Sequence, residues 1–178
     1  MREGGSKMKL FVKIIFLCLF IIQFSLVGCS SQGSGNVLPD VKPVDFNFVF
    51  NYGVNAKNGL NTIKGEYTKD MVIDPAVTTK LVLSNEEMNS IYLDMRKINI
   101  LNYPENFNPK SNMMQTPFQT YFLKIVLDGS EKNISWKEEN VSKSKEAVKL
   151  RDLFKKIQEI IINKEEYKKL PPANGGYD

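Results

Sequence analysis

The first regular pattern after residue 43 alternates apolar and polar positions, which is typical of a half-buried β-strand. Its apolar members are Phe46, Phe48, Phe50, Tyr52 and Val54. Asn58-Gly59 follows and is a preferred pair for a two-residue hairpin turn. If Lys57 faces Leu60 across this turn, then Phe50 faces Tyr67 and the apolar partners share one face. The pattern predicts a two-stranded hairpin.

A third strand and a helix are predicted next. Asp74-Pro75 breaks the chain, and alternation resumes at Val77, Thr79, Leu81 and Leu83. Ser84 and Glu87 have the spacing of a capping box, in which the serine hydroxyl accepts a hydrogen bond from the Glu87 backbone N–H. An apolar stripe at spacings of three and four then predicts a helix that ends before residue 102. The stripe consists of Met88, Ile91, Tyr92, Met95 and Ile98.

The last third of the chain contains another hairpin and another helix. Asp128-Gly129 predicts a turn with Leu127 facing Ser130, which places Tyr121 opposite Trp136. Ser142 or Ser144 caps a helix with a continuous apolar stripe, made of Ala147, Leu150, Phe154, Ile157 and Ile161. The order βββαββα indicates a single α+β domain at 44–167, with an antiparallel sheet of about five strands and two helices. Residues 168–178 are predicted to be a frayed C-terminal tail.

The N-terminus has the features of a targeting segment. Residues 1–13 are basic, and residues 14–27 form an apolar run of 14 residues. A membrane-spanning helix needs about 20 residues, so this run suits a signal peptide better. The translation start is open between Met1 and Met8.

The end of that run carries a more specific signal. Leu26, Val27, Gly28 and Cys29 precede a Ser/Gly-rich stretch. In these positions the chain resembles bacterial lipoprotein precursors. The resemblance implies that residues 1–28 are a signal peptide, that Cys29 carries a diacylglyceryl group and that residues 29–43 are the lipidated Cys and a flexible tether. It also implies a location on the extracytoplasmic face of the cell membrane, with the membrane as a partner. A plain signal peptide and an apolar N-terminal helix of a cytoplasmic protein are the alternatives.

Composition removes several classes of function. The 178 residues include no histidine, which excludes catalytic pairs and zinc motifs that need an imidazole. The net charge is +4, but residues 1–28 hold four basic and one acidic residue, so the remainder has 20 against 19 and a net charge of +1. This near-neutral remainder argues against nucleic-acid binding. Cys18 lies in the segment predicted to be removed. We therefore predict a protein that is not an enzyme and has no cofactor and no metal.

Several short motifs have ordinary structural explanations. Ser142 and Lys145 fit an S-x-x-K pattern, but a solvated helix cap explains them. Adjacent glutamates such as Glu138 and Glu139 are interpreted as solvated surface groups. Residues 170–175 resemble a sortase signal only in part. The aromatic residues at 46–52 are interpreted as a core face and not as a ligand platform.

The best candidate for a binding surface is the irregular stretch 102–117, which is long for a loop and contains three prolines. We expect its apolar residues to be exposed and to contact a protein or cell-envelope partner. These residues are Tyr103, Phe107, Met113 and Met114. The turn at 54–59 is a second candidate.

A second resemblance covers about 110 residues. The stretches 83–87, 100–104, 121–129 and 134–136, followed by the final helix, are similar to emfourin-type proteins. These are proteinaceous inhibitors of thermolysin-like metalloproteases. The resemblance implies inhibition of a secreted metalloprotease as an alternative function. The first turn differs and the chain has the lipoprotein motif, so no inhibitory residue is transferred.

Overall fold

The computed structural model describes residues 37–177. The predicted signal peptide, Cys29 and the first part of the predicted tether lie outside these residues. The described part contains one antiparallel sheet with strands β1 Asn47–Tyr52, β2 Asn58–Asn61, β3 Glu66–Met71, β4 Asp74–Lys80, β5 Thr120–Leu127 and β6 Ser130–Lys137. Its helices are α1 Asn85–Lys97, α2 Lys145–Asn163 and α3 Glu165–Lys168. The α+β class and the antiparallel sheet are confirmed.

The strands lie in the order β4-β3-β2-β1-β5-β6. Alternate residues of β1 and β5 are buried, as the period of two predicts for strands with one covered face. Phe154 of α2 packs on this face, with its ring centroid 4.9 Å from that of Phe50 and 4.8 Å from that of Tyr121. The core therefore lies between one sheet face and the helices. None of the helices in residues 37–177 has the length and apolar character that a membrane crossing requires.

The first hairpin differs from the prediction. Phe50 pairs with Leu60 instead of Tyr67, and Asn58-Gly59 lies within β2. The turn is formed earlier, where Gly53, Asn55 and Ala56 have positive φ angles. Asn58 is needed in the strand, since its Oδ1 accepts hydrogen bonds from the Tyr67 hydroxyl at 3.2 Å and from the Asp70 N–H at 3.0 Å.

Gly59 has a different reason to lie in a strand. A Cβ atom there would approach the Asn51 Nδ2 atom to 2.5 Å. Close approach of a neighbouring side chain is a known use of glycine in strands. The Asn-Gly pair is therefore explained by tertiary contacts instead of turn geometry.

The region before α1 contains four strands instead of three. A turn at 62–65 separates β2 from β3, and β4 includes Asp74 and Pro75, which were predicted to interrupt the chain. Proline fits there because β4 is an edge strand, where a missing backbone N–H removes no ladder bond. This extra strand and the short α3 make the order in the described residues ββββαββαα.

The second hairpin and both predicted helices are confirmed. Leu127 pairs with Ser130 and Tyr121 with Trp136. The Ser84 hydroxyl accepts from the Glu87 N–H at 3.2 Å, and the Glu87 carboxylate accepts from the Ser84 N–H at 2.7 Å, which completes the capping box. Ser144, one of the two predicted caps, begins α2.

Both ends of the described chain pack on the sheet and helices, which differs from the expected tether and frayed tail. Leu38 is buried, and its carbonyl accepts from Arg96 Nε at 3.2 Å. The Tyr92 hydroxyl donates to the Pro39 carbonyl at 2.7 Å. In the tail, the Tyr177 hydroxyl donates to Asp70 at 2.6 Å. The physical reason at the N-terminal end is that the strap at 38–41 supplies carbonyl acceptors for the buried Tyr92 hydroxyl and for the partly exposed Arg96 guanidinium.

Candidate functional site

The candidate loop at 102–117 has two buried aromatic side chains in its first half and two exposed methionines in its second half. Tyr103 is 6% exposed and Phe107 is 9% exposed, so the expectation that they are on the surface is wrong. Met113 is 54% exposed and Met114 is 81% exposed, as predicted. Of the four predicted residues, only the two methionines are therefore exposed to a partner.

In the first half of the loop, Tyr103 and Phe107 are buried where the backbone covers the outer edge of β6. The Phe107 N–H donates to the Ser135 carbonyl at 2.8 Å, and the Ser135 N–H donates to the Glu105 carbonyl at 2.6 Å. The Phe107 ring packs edge-on against Trp136 with centroids 5.2 Å apart. An uncovered edge strand exposes unpaired backbone groups, so a covering segment is a common solution. That requirement is the signal that could have predicted the burial of Phe107.

The second half, which we call the methionine loop (residues 111–117), is held by backbone hydrogen bonds. The Val141 N–H donates to the Met113 carbonyl at 2.7 Å, and the Gln115 N–H donates to the Glu139 carbonyl at 3.0 Å. The Gln115 side chain also donates to the Glu138 carbonyl at 2.9 Å. The two methionine side chains therefore project from a fixed backbone.

An ion pair beside the methionine loop supports it. Glu138 is buried, although the sequence predicted a solvated surface group. Its Oε1 accepts from Arg151 Nε at 2.8 Å, and Arg151 Nη2 also donates to the Ser142 carbonyl at 3.1 Å. The guanidinium carbon lies 5.4 Å from the Trp136 ring centroid, within the range of a cation–π contact. A buried carboxylate needs such a partner, and neighbouring glutamates in sequence do not reveal which of them is buried.

Tyr121 adds to this cluster. Burial raises the pKa of the Tyr121 hydroxyl well above its ordinary value, and the negative charge of Glu138 raises it further. The hydroxyl therefore stays protonated through the physiological range. The groups beside the methionine loop thus act as fixed structural partners.

The turn at 54–59, the second predicted candidate, has a polar surface. It lies beside the first residue of β5, because the Thr120 N–H donates to the Gly53 carbonyl at 2.9 Å. Asn55 and Lys57 are its exposed residues, and Lys57 Nζ donates to the Tyr177 hydroxyl at 2.8 Å. This turn and the methionine loop lie at the same end of the sheet, where β5 begins and β6 ends.

A buried tyrosine pair, which the sequence did not indicate, lies at that end too. The hydroxyls of Tyr52 and Tyr67 share a hydrogen bond of 2.8 Å, and burial raises the pKa of Tyr52 to about 12. Buried tyrosines usually keep a partner for the hydroxyl. The signal lay in the sequence as two tyrosines on the apolar faces of their strands, but only the correct register brings them together.

The serines of the S-x-x-K pattern are engaged in local structure. The Ser142 hydroxyl accepts from the Ser144 N–H at 3.3 Å, and the Ser144 hydroxyl accepts from the Ala147 N–H at 3.2 Å. Within residues 37–177 no group of three or more acidic side chains is placed to hold a metal ion.

The clefts in the described part are shallow. One of about 330 Å³ lies between α1 and α2, and it is crossed by an ion pair between Lys156 and Asp94. Another of about 220 Å³ lies along β6 between Phe107 and Glu139. Small-molecule sites commonly have volumes of about 300–1,000 Å³ and apolar walls, so these clefts are at or below the small end of that range.

No protein family model, curated protein or solved structure matches this chain.

Proposed function

We propose that this chain is a bacterial lipoprotein, attached to the extracytoplasmic face of the cell membrane through Cys29. The proposal is supported by the apolar run and the Leu26-to-Cys29 motif. Two acyl chains on one cysteine give stable attachment, whereas a single chain binds only marginally.

The second part of the proposal is that the domain is a non-catalytic binding module that captures a protein or cell-envelope partner with the methionine loop. One observation supports this role most strongly: Met113 and Met114 are exposed on a backbone held by Val141 and Glu139. A fixed backbone reduces the entropy lost on binding, and flexible thioether side chains adapt to a partner surface.

Replacement of Cys29 tests the attachment. In cells supplied with labelled palmitate, we expect the natural chain and Cys18→Ala to become labelled and to sediment with membranes. Cys29→Ala should be unlabelled and keep its signal segment. Equal labelling of Cys29→Ala would reject the lipoprotein assignment. A Cys29→Ala protein that sediments with membranes at the same mass as the natural chain would also reject it.

A double replacement, Met113→Ser with Met114→Ser, tests the loop. Truncating central apolar contacts commonly costs about 1–3 kcal/mol, so capture of a crosslinked partner in intact cells should fall at least about tenfold. The matched control is Leu93→Ser with Val148→Ser, since both residues are exposed and apolar but lie on α1 and α2. An equal loss in the control, or no loss in the loop variant, would remove the methionine loop from the binding role.

The fixed loop also suits the alternative function, inhibition of a secreted metalloprotease, because a preorganised exposed segment is what an inhibitor needs. The test titrates the Cys29→Ala chain against a thermolysin-like protease. Inhibition that disappears in the Met113/Met114 double variant would favour this alternative. Full protease activity at micromolar protein would reject it.

A further inference from the structure

Four aliphatic residues are exposed at the opposite end of the sheet from the methionine loop, where β1 and β3 begin and β2 and β4 end. We call them the aliphatic patch. Val44 is fully exposed, and the other members are exposed by 80% (Val41), 57% (Ile63) and 55% (Val82). Isolated apolar residues on a surface are ordinary, whereas a cluster of them usually marks a contact surface.

Two members of the patch are neighbours in space, because Val44 and Val82 line one cleft of about 210 Å³ together with Lys42. Ile63 lies on the turn at 62–65, and this turn meets the segment after β4, since the Leu81 N–H donates to the Gly65 carbonyl at 2.8 Å. A Cβ atom at Gly65 would lie 3.0 Å from Val82 Cγ2. The turn that carries Ile63 therefore contacts the segment that carries Val82.

Lysines border this patch, and the two neighbouring aspartates are already engaged, Asp40 by Arg96 and Asp45 by the Gly129 N–H. Lys42 lies between Val41 and Val44, and Lys64 follows Ile63. Neither lysine forms an ion pair within residues 37–177. Aliphatic residues with flanking lysines suit the boundary of a lipid bilayer, where the apolar part enters the headgroup region and ammonium groups reach lipid phosphates.

The length of the tether limits which surface can face the membrane. Eight residue-to-residue steps separate Cys29 from Val37, which corresponds to at most about 28 Å when fully extended. A domain of this length is roughly 37 Å across. Leu38 is fixed against Arg96 of α1, and the strap leads from there directly to Val41 and Val44. Two members of the patch, Val41 and Val44, therefore lie on the segment that directly follows the tether.

We propose that the aliphatic patch docks on the bilayer surface. Val44, Ile63 and Val82 would enter the headgroup region while Lys42 and Lys64 contact lipid phosphates. The methionine loop then faces away from the membrane because it lies at the other end of the sheet. This inference rests on the proposed lipid attachment at Cys29 and adds a fixed orientation to it.

The test uses the full lipidated protein in vesicles of phosphatidylcholine and phosphatidylglycerol. An environment-sensitive dye is attached at Val44→Cys or, as a control, at Lys143→Cys, which is exposed beyond the end of β6. Acylated Cys29 does not react with the dye. We expect brominated lipids to quench the dye at 44 at least threefold more strongly than the dye at 143. Equal quenching in protein that floats with the vesicles would overturn the docking.

Second variants separate the alternatives. Ile63→Ser with Val82→Ser should reduce quenching at 44 by at least half, whereas Ile73→Ser, exposed at the other end, should leave it unchanged. Shielding at 44 that rises with protein density would identify a second copy as the occupant and overturn the proposal. If Cys29 reacts with the dye and the protein does not float, the lipid attachment itself is wrong.

Discussion

The two ends of the sheet both expose apolar residues, but they do so in different ways. At the aliphatic end the side chains are β-branched and stiff, and they lie between the strap and β1, on the turn at 62–65 and after β4. At the methionine end the side chains are unbranched and flexible, and hydrogen bonds from Val141 and Gln115 fix the loop beneath them. A flat fluid surface needs no side-chain adaptation, whereas a shaped partner does. The difference supports separate partners for the two ends.

The two ends also differ in what holds them. The methionine end has an ion pair with a buried carboxylate and a buried tyrosine pair, whereas the aliphatic end has a capping box and the turn at Gly65. Substitutions at the two ends should therefore reduce the free energy of unfolding by different amounts.

Glu138→Ala should have the largest effect. It leaves Arg151 without its carboxylate in a half-buried site, and we expect a loss of about 2–4 kcal/mol in the free energy of unfolding. Urea denaturation followed by the fluorescence of Trp136, the single tryptophan, measures this loss. Glu139→Ala is the control, because Glu139 has no ion pair in the described part. Similar losses in both variants would contradict the role assigned to the ion pair.

Gly65→Ala should destabilise the aliphatic end by about 1–2 kcal/mol, since φ is +66° there and a left-handed alanine is strained. Gly129→Ala provides a matched control, with φ +68° and no atom near the new Cβ. We expect Gly65→Ala to cost more, because its Cβ would crowd Val82. Equal urea midpoints for the two variants would show that crowding against Val82 does not affect stability.

Alkaline pH should weaken the methionine end. Burial raises the pKa of Tyr52 to about 12 from an ordinary value of 10.0, so the folded state favours the protonated hydroxyl. This contribution to stability is complete below pH 10 and is lost as the pH rises to 12. The loss at pH 11 amounts to about 1 kcal/mol in the free energy of unfolding. Urea midpoints at pH 9 and pH 11 check this sign for the natural chain and for Tyr52→Phe, and the decrease should be smaller in the variant. An equal decrease in both would contradict the assignment to Tyr52.

Val44→Ser and Met114→Ser should have the smallest effects on stability, less than about 0.5 kcal/mol each, because both side chains are exposed. Thermal unfolding of the two variants beside the natural chain measures this. A loss above about 1 kcal/mol in stability at either position would mean that the side chain stabilises the fold and is not reserved for contact with a partner.

The sequence predicted most of the fold but placed the first turn wrongly. Asp128-Gly129 has two positive φ angles and forms the predicted turn, so local chemistry was sufficient there. Asn58-Gly59 has the same local preference, but Tyr67, Asp70 and Asn51 use these residues in the sheet. Alternation could not correct the error, since either Leu60 or Tyr67 gives Phe50 an apolar partner.

Candidate-site residues were only partly predictable for a similar reason. Irregular sequence indicated a loop at 102–117, and composition could not show that Phe107 covers the edge of β6. Exposure of Met113 and Met114 followed from the absence of any periodic pattern around them. Burial of Glu138 depends on its contact with Arg151, which is 13 residues away. That contact is formed by tertiary packing and is not visible in the local sequence.

The most direct test of two ends with two partners is photo-crosslinking in intact cells, with a photoreactive residue at position 44 or at position 114. The arrangement with two ends and two partners predicts that position 44 attaches to lipid and that position 114 attaches to a protein or cell-envelope partner. Lipid adducts at position 114, or the same protein adducts at both positions, would contradict it.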